Sequence, residues 1–326
     1  MSTARRVVMH QPGAPEVMRI ETLELPAPGP GEVRLRQTAI GFNYIDVYQR
    51  QGKYPLPLPS GLGHEAAGVV EQLGDGVQGL RIGERVACIN AGIGAYAEAR
   101  NVAAERLVPI PAGIDDAQAA AVLFKGLTAQ YLLRKTHRVQ PGDVVLVHAA
   151  AGGVGQILCR WAKALGATVL ATAGSPAKCA LALEAGADIA EDYSRDGWAQ
   201  RLIDANAGRK ADVVYDSVGR ATFAHSLDCA APFGLVVLFG AASGPVEPFD
   251  PEILNRKGCL FLTRPSVFPH NAEPAQLRAN AAELFDAIAR GWVRAEVGAR
   301  YALDDVVALH RAAESRATRG SMVLIP

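Results

Sequence analysis

Between Val144 and Gln156 the chain reads VVLVHAAAGGVGQ. The apolar run without polar alternation describes a strand buried on both faces, and it passes through a cluster of small residues directly into a helix. The cluster Ala150-Ala151-Gly152-Gly153-Val154-Gly155 is a GxGxxG loop with alanine in the first glycine position. Small residues are needed there because the turn is tight, the backbone must approach a pyrophosphate, and the last glycine lets the helix pack on the strand. The phosphates then sit at the helix N-terminus, where free N–H groups and the helix dipole favour negative charge. Taken alone, such a loop is also compatible with a generic glycine-rich turn. Its setting decides for a dinucleotide site.

That setting is a repeated strand–helix rhythm. The loop helix is expected over Gly153–Leu165. TVLATA (Thr168–Ala173) precedes a helix over Pro176–Glu184, and Ala187–Ile189 precedes one over Trp198–Asn206. ADVVYD (Ala211–Asp216) precedes a helix over Thr222–Cys229, and LVVLF (Leu235–Phe239) follows. Buried strands alternating with helices through short loops predict right-handed βαβ units and a parallel sheet. The residues before about 126 read differently. Short strand candidates at Glu32–Ala39 and Ala66–Gln72 are separated by Pro/Gly clusters at Pro26–Gly31 and Tyr54–Gly63, with one amphipathic helix candidate at Asn43–Gln51. This is the punctuation of a small β-domain. The C-terminal part predicts a long helix over Pro274–Arg290, a second over Asp304–Ala313 and a strand over Met322–Ile325.

Charge narrows the partners. The 33 basic and 33 acidic side chains cancel, and each of 1–125, 126–264 and 265–326 is balanced to within one charge. No segment is a basic arm, so no nucleic-acid partner is expected. The longest uncharged stretch, Cys229–Val246, is interrupted by Pro232, Gly234, Gly240, Gly244 and Pro245, so no membrane span is expected. The N-terminus, MSTARRVVMH, has no long apolar segment, and Cys88, Cys159, Cys179, Cys229 and Cys259 form no CxxC pair. A reducing, cytoplasmic setting is expected.

An NAD site usually carries an acid at the end of its second strand to hold the ribose 2′-OH. Here that strand runs into Gly174-Ser175-Pro176-Ala177-Lys178. Small residues, a hydroxyl and a positive charge suit a 2′-phosphate, hence NADPH. The competing reading of Lys178 is a solvated helix-surface lysine.

Several segments together resemble the quinone oxidoreductases of the zeta-crystallin branch of the medium-chain dehydrogenase/reductase superfamily. They are AIGFNYIDVYQRQGKYP (Ala39–Pro55), LPSGLGHEAAGVV (Leu58–Val70), LFKGLTAQYLL (Leu123–Leu133), VHAAAGGVGQ (Val147–Gln156), WAKALGA (Trp161–Ala167), VVYDSVG (Val213–Gly219), TRPS (Thr263–Ser266) and ESRATRGSMVLIP (Glu314–Pro326). Arg160 departs from the family, which often has glutamine there. The resemblance implies an α/β fold of two domains. One is a GroES-like β-domain from residues 1–125 and 265–326, the other an inserted Rossmann domain of residues 126–264 with a doubly wound parallel sheet. Cofactor and substrate are expected in the cleft between them.

The same architecture serves zinc-dependent alcohol dehydrogenases, so the ligand positions matter. Gly63-His64-Glu65 matches the motif with their second ligand, but Asn43 stands at the first ligand position. The third falls in Leu123–Thr128, which offers no Cys, His or carboxylate, and Cys88 stands alone where the structural-zinc lobe needs four cysteines. No metal is expected, and His64 is left as a hydrogen-bonded structural residue or a pocket wall. A quinone needs no Lewis acid, since hydride addition yields an aromatic hydroquinone and the protein has mainly to position the partners and stabilise developing charge.

The implied activity is NADPH-dependent quinone reduction. The alternatives are an NADPH-dependent reductase of a C=C bond conjugated to a carbonyl, and, from another class, a binding or structural role. In the acceptor pocket the resemblance places Asn43 and Arg264 as donors to an oxyanion and Asp46 as an organiser. Tyr48 and Tyr54 are placed there as stacking or donating groups, with simple packing as the competing reading. Around the cofactor it places Ala151, Gly152, Gly153, Val154 and Gly155 on the pyrophosphate, and Gly174, Ser175, Lys178 and Arg316 (or Arg319) at the 2′-phosphate. Tyr193 is expected over the adenosine end, Thr128, Phe239 and Gly240 around the nicotinamide and its ribose, and Tyr44 and Ser217 as further cofactor contacts. A two-fold homodimer is expected through the apolar edge-strand candidate Cys259–Thr263.

Overall fold

The computed structural model describes residues 2–315 and 320–326, so the positions expected at the 2′-phosphate, Arg316 or Arg319, lie outside the described residues. Two strands, Ser2–Met9 (β1) and Met18–Leu25 (β2), pair antiparallel from Ser2↔Leu25 to Met9↔Met18. There follow Glu32–Gly41 (β3), the helix Tyr44–Arg50 (α1), Glu65–Leu73 (β4), Arg85–Ile89 (β5), Ala99–Ala103 (β6), Leu107–Pro109 (β7) and the helix Asp116–Tyr131 (α2). A π-helical turn, Leu132–Thr136, ends α2. Strands and helices then alternate: Val144–Val147 (β8), Gly153–Ala164 (α3), Thr168–Ala173 (β9), Pro176–Glu184 (α4), Ile189–Asp192 (β10), Trp198–Ala205 (α5), Ala211–Asp216 (β11), Phe223–Cys229 (α6), Ala230–Leu238 (β12), Glu252–Arg256 (α7) and Phe261–Thr263 (β13). Val267–His270 (α8), Pro274–Ala289 (α9), Val297–Ala302 (β14), Val306–Glu314 (α10) and Ser321–Ile325 (β15) complete the chain.

The chain divides into two compact units. The first is drawn from Met1–Lys125, His270–Phe285 and Ala295–Pro326, the second from Gly126–Pro269 and Asp286–Arg294. The first unit therefore resumes at His270 rather than at residue 265, because the segment after β13 stays with the second unit through Pro269.

In the first unit the sheet order is β14-β15-β3-β4-β5-β7, with β6 also paired to β3. The long strand β3 organises it, meeting β4 from Val33↔Leu73 to Gly41↔Glu65 and meeting β15 at Val323↔Gly41. Val33, Leu35, Ile40, Val70 and Val86 are closed to solvent together with Leu309 and Leu324 from the C-terminal segment. At about 1.5–3 kcal/mol for each such side chain, this shared core binds the two ends of the sequence into one unit.

In the second unit all neighbouring strands are parallel, in the order β10-β9-β8-β11-β12-β13. Counted along the unit this is 3-2-1-4-5-6, the doubly wound Rossmann order, whose strand sequence reverses between β8 and β11. Val144, Leu146, Leu170, Val214 and Val236 are buried against Trp198, Leu202, Phe223 and Leu227 of the helices.

Several elements differ from the sequence expectation. The strand expected at Leu235–Phe239 begins at Ala230 and leaves Phe239 beyond its end. It tolerates Pro232 because Ala211 pairs with Ala230 while Val213 pairs with Leu235, so the residues between bulge out of the ladder, with Phe233 at φ 62°. The strand expected at Ala187–Ile189 instead spans Ile189–Asp192, and Asn43 precedes α1 rather than belonging to it. The strands β1, β2, β5, β6, β7 and β14 and the helix α2 had no clear sequence signal. In α2 the apolar residues surround the helix and erase its amphipathic period. Among the described residues no helix is long and apolar enough to cross a membrane.

Candidate active site

The loop after β8 is built as its small residues require. Ala149 sits at φ 50°, the Ala150 N–H donates to the Thr172 carbonyl at 3.0 Å, and the Gly152 N–H donates to the Ala149 carbonyl at 2.9 Å. Gly152 is the N-cap of α3. A methyl group on Gly155 would stand 2.5 Å from the Ala149 oxygen and 2.7 Å from Ala150 Cα, so only hydrogen fits where α3 lies on the loop. The first N–H groups of α3 have no partner inside the helix, a property of helix N-termini that favours anions. At the end of β11, Asp216 leads into Ser217, and a methyl on Gly240 would meet the Ser217 carbonyl at 2.6 Å. The Phe239 N–H donates to the Asp216 carbonyl at 2.8 Å. The structure thus gathers Ala151, Gly152, Gly153, Val154, Gly155, Ser217, Phe239 and Gly240 at the carboxyl ends of β8, β11 and β12. Arg264 joins them: its Nη1 donates to the Leu238 carbonyl at 2.9 Å, and its charge bears on Tyr131 of α2, whose hydroxyl burial pushes up. Thr128 is buried in the same helix.

At the end of β9, Ser175 caps α4 by accepting from the Lys178 N–H at 3.4 Å. Gly174 lies against Tyr193, whose hydroxyl would be 3.0 Å from a methyl group placed there. Tyr193 follows β10 and is tied back by its N–H to the Ala173 carbonyl at 3.0 Å. The neighbouring acid, Asp192, accepts from the Ser194 hydroxyl at 2.7 Å and N–H at 2.9 Å, and these bonds hold it below the usual carboxylate range.

Beneath these loops lies a buried polar network that had no sequence signal. Thr172 Oγ1 donates to His148 Nδ1 at 2.6 Å, His148 Nε2 donates to Ser226 Oγ at 3.0 Å, and the Ser226 hydroxyl donates to Asp216 Oδ2 at 2.8 Å. Asp216 Oδ1 accepts the N–H groups of Val218 at 2.8 Å and Gly219 at 2.9 Å, and Thr222 Oγ1 at 2.9 Å. Burial lowers the pKa of His148, against the pull of Asp216, so the imidazole is neutral.

The remaining expected residues belong to the first unit and lie on or beside α1. The Asn43 N–H donates to Asp46 Oδ2 at 2.9 Å, and Asn43 Nδ2 donates to Glu65 Oε2 at 2.9 Å. Asn43, expected as a substrate donor, therefore has one amide proton committed to a buried carboxylate. Glu65 Oε1 accepts from the Phe124 N–H at 2.5 Å, and Lys125 Nζ donates to the Phe42 carbonyl at 2.8 Å. Burial raises Glu65 and lowers Lys125, and each charge opposes the other's shift. Burial raises Asp46 to about 7, against the lowering by the Asn43 N–H, the Tyr96 hydroxyl and Lys125. Neither Glu65 nor Lys125 was singled out from the sequence. The available signals were an acid directly after His64 and a lysine interrupting an apolar run. Tyr44, Tyr48 and Tyr54 form an edge-to-face ladder, with ring centroids 5.2 and 5.3 Å apart. Tyr44 and Tyr54 are exposed.

His64 is hydrogen-bonded, with Nε2 3.0 Å from Gln49 Oε1, and burial, aided by Arg100, lowers it to about 4. Among the described residues, no group of three or more His, Cys, Asp or Glu side chains is arranged to hold a metal ion. Cys88 Sγ accepts from Arg100 at 3.3 Å.

Residues 29–112 match the alcohol dehydrogenase GroES-like domain family, and residues 153–272 match the zinc-binding dehydrogenase family. A quinone oxidoreductase of Pseudomonas aeruginosa is 48% identical, the match covering 99% of this chain and 100% of that one. A 2-haloacrylate reductase of a Burkholderia species is 41% identical over 98% of each. The crystal structure of Escherichia coli quinone oxidoreductase complexed with NADPH aligns at a TM-score of 0.95 with 44% identity, covering 100% of both chains. Full-length identity of this order, on both a GroES-like unit and a Rossmann unit, places the chain in the quinone oxidoreductase family of the medium-chain dehydrogenase/reductase superfamily.

Proposed function

We propose that the chain is an NADPH-dependent quinone reductase that delivers hydride to a quinone without a metal ion. The observation that carries this reading is the end of β9, where Gly174, Ser175 and Lys178 replace the acid of an NAD site. The Ser175 hydroxyl accepts from the Lys178 N–H and keeps its own proton to donate to a phosphate oxygen. Lys178 adds charge on the first turn of α4, and Tyr193 against Gly174 forms a wall for the adenosine end. The N-terminus of α3 receives the pyrophosphate. NADPH, when bound, supplies the hydride.

On the acceptor side the tyrosine ladder offers aromatic faces and phenol donors to a flat ring. The second Asn43 amide proton is a donor for negative charge growing on the quinone oxygen, and Asp46 orders Asn43 through its N–H. The metal-free reading is supported by Asn43 being committed to Glu65 and His64 being hydrogen-bonded to Gln49. The decisive experiment follows NADPH consumption by the purified protein with benzoquinone and naphthoquinone. No acceleration by either quinone would refute the activity, and stoichiometric zinc in the same preparation would refute the metal-free step.

A second reading, reduction of a C=C bond conjugated to a carbonyl, is favoured by the 41% identity to a 2-haloacrylate reductase. A saturated product with little quinone turnover would select it. We further propose a homodimer through the edge strand β13, whose Phe261 is 61% exposed, and a cytoplasmic setting, supported by five unpaired cysteines of which Cys259 is exposed.

A further inference from the structure

Arg50, Tyr96 and His310 take no part in the chemistry above, yet each is fully closed to solvent, as is Asp46. Buried polar groups of this size demand partners. Their partners lie in one line, and the line has a direction.

An arginine side chain only donates. Arg50 Nε is 3.2 Å from His310 Nδ1, so Nδ1 is the acceptor. Burial and the adjacent Arg50 charge hold His310 at about 3, so the ring is neutral and carries its one proton on Nε2. That nitrogen is 3.4 Å from the Tyr96 hydroxyl. Since the hydroxyl oxygen accepts there, its own proton goes to Asp46 Oδ2, 2.9 Å away. Asp46 Oδ2 also accepts the Asn43 N–H, whereas Oδ1 is buried with no hydrogen-bond partner. At the other end, Arg50 Nη1 donates to the Gly13 carbonyl at 2.6 Å, and the guanidinium pairs with Glu314 at 2.7 Å.

We infer that Tyr96 and His310 are positioning residues for Asp46: a one-way chain of donors from Arg50 saturates Oδ2, leaves Oδ1 as the oxygen that carries the exchangeable proton, and so fixes the carboxyl group that orders Asn43. The groups facing Asp46 are Tyr96, Asn43 at the start of α1, Glu65 of β4 and Lys125 of α2. Lys125 favours the charged carboxylate and Glu65 opposes it, so neither alone accounts for where the proton resides. The chain's catalytic meaning rests on the proposed quinone reduction, but its test does not.

Infrared titration detects the protonated carboxyl band of Asp46 directly, with Asp46→Asn as the subtraction. In the wild type the band is expected to titrate near neutrality. Tyr96→Phe removes a donor to the charged form and is expected to raise the midpoint by about one pH unit. His310→Leu is expected to shift it the same way. His310→Gln, whose amide both accepts from Arg50 and donates to Tyr96, is expected to retain the wild-type midpoint. If His310→Leu does not fold, Tyr96→Phe decides alone. An unchanged midpoint in Tyr96→Phe, or no protonated band in the wild type at pH 6, would overturn the inference. With quinone turnover, the pH limb of kcat is expected to move with the infrared midpoint while KM for NADPH stays constant. Midpoint shifts without quinone turnover in the wild type would leave the donor chain standing and remove the proposed activity.

Discussion

His148 Nε2 lies 3.0 Å from the hydroxyl of Ser226, directly beneath the point where the strand order of the parallel sheet reverses. His148 follows β8 and Asp216 ends β11, so the path through Ser226 ties together the two turns proposed to hold the dinucleotide. Ser226→Ala strips His148 of an acceptor inside the core. It is expected to cost about 1–3 kcal/mol in urea unfolding and to weaken NADPH binding about three- to tenfold in a fluorescence titration. Loss of stability with unchanged NADPH affinity would show that the network supports the fold but not the loops.

The two loop glycines separate packing from approach. Gly155→Ala forces a methyl to 2.5 Å from a backbone oxygen, whereas the nearest atom to a methyl on Gly152 is 3.1 Å away. Gly155→Ala is expected to displace α3 and weaken NADPH binding at least about tenfold, with Gly152→Ala the milder change in the protein alone. Equal unfolding midpoints for the two variants would contradict this assignment of strain.

Lys178→Ala addresses cofactor choice. The ratio of NADPH to NADH efficiency is expected to fall about tenfold, the equivalent of ~1.4 kcal/mol of lost phosphate contact. An unchanged ratio in steady-state kinetics returns Lys178 to the status of a surface lysine.

Stability should respond to pH from both sides. His64 and His310, held at about 4 and about 3 in the folded chain, stay neutral where the unfolded chain takes up protons. Their contribution is present above the unfolded value of 6.5 and is lost as pH falls toward the folded values. Asp46 has the opposite sign. Its folded value of about 7 exceeds the ordinary carboxyl value of 3.8, so its contribution is full below 3.8 and lost as pH rises to about 7. Asp46→Asn should therefore gain stability over the wild type between pH 4 and 8, by up to about 4 kcal/mol. Parallel urea curves for the two proteins across that range would contradict the buried-carboxyl assignment.

The edge strand makes a separate claim. Phe261→Asp puts a charge on the exposed edge and is expected to convert a dimer to a monomer in light scattering. An unchanged dimer mass would move the interface elsewhere.

The loop at Ala150–Gly155 was legible because each of its roles excludes larger side chains, and those exclusions are written in adjacent residues. The acid-free end of the second strand was legible for the same reason. Asp46 could be placed near the site only by resemblance, and its partners not at all. Tyr96 lies 50 residues away and His310 a further 214 from Tyr96, and nothing local marks either as polar core. Asn43 was expected to face a substrate, but the carboxylate that takes one of its protons comes from another strand. The bulge in β12 hid a strand behind Pro232, since a sequence pattern cannot show that four residues loop past one partner.

The pairing of β15 with β3, Val323 opposite Gly41, bears on how the chain is made. The second unit is formed chiefly by the continuous segment Gly126–Pro269, whose strands meet neighbours close in sequence. It can close while the chain is still being synthesised. The first unit cannot: β3 pairs with β15, which follows the whole run of strands of the second unit in the sequence. Its open edge must wait until the second unit has been translated, and long-range pairing of this kind is slow and exposed to aggregation. Cells short of folding assistance should therefore lose the β-unit first, with the dinucleotide unit already formed.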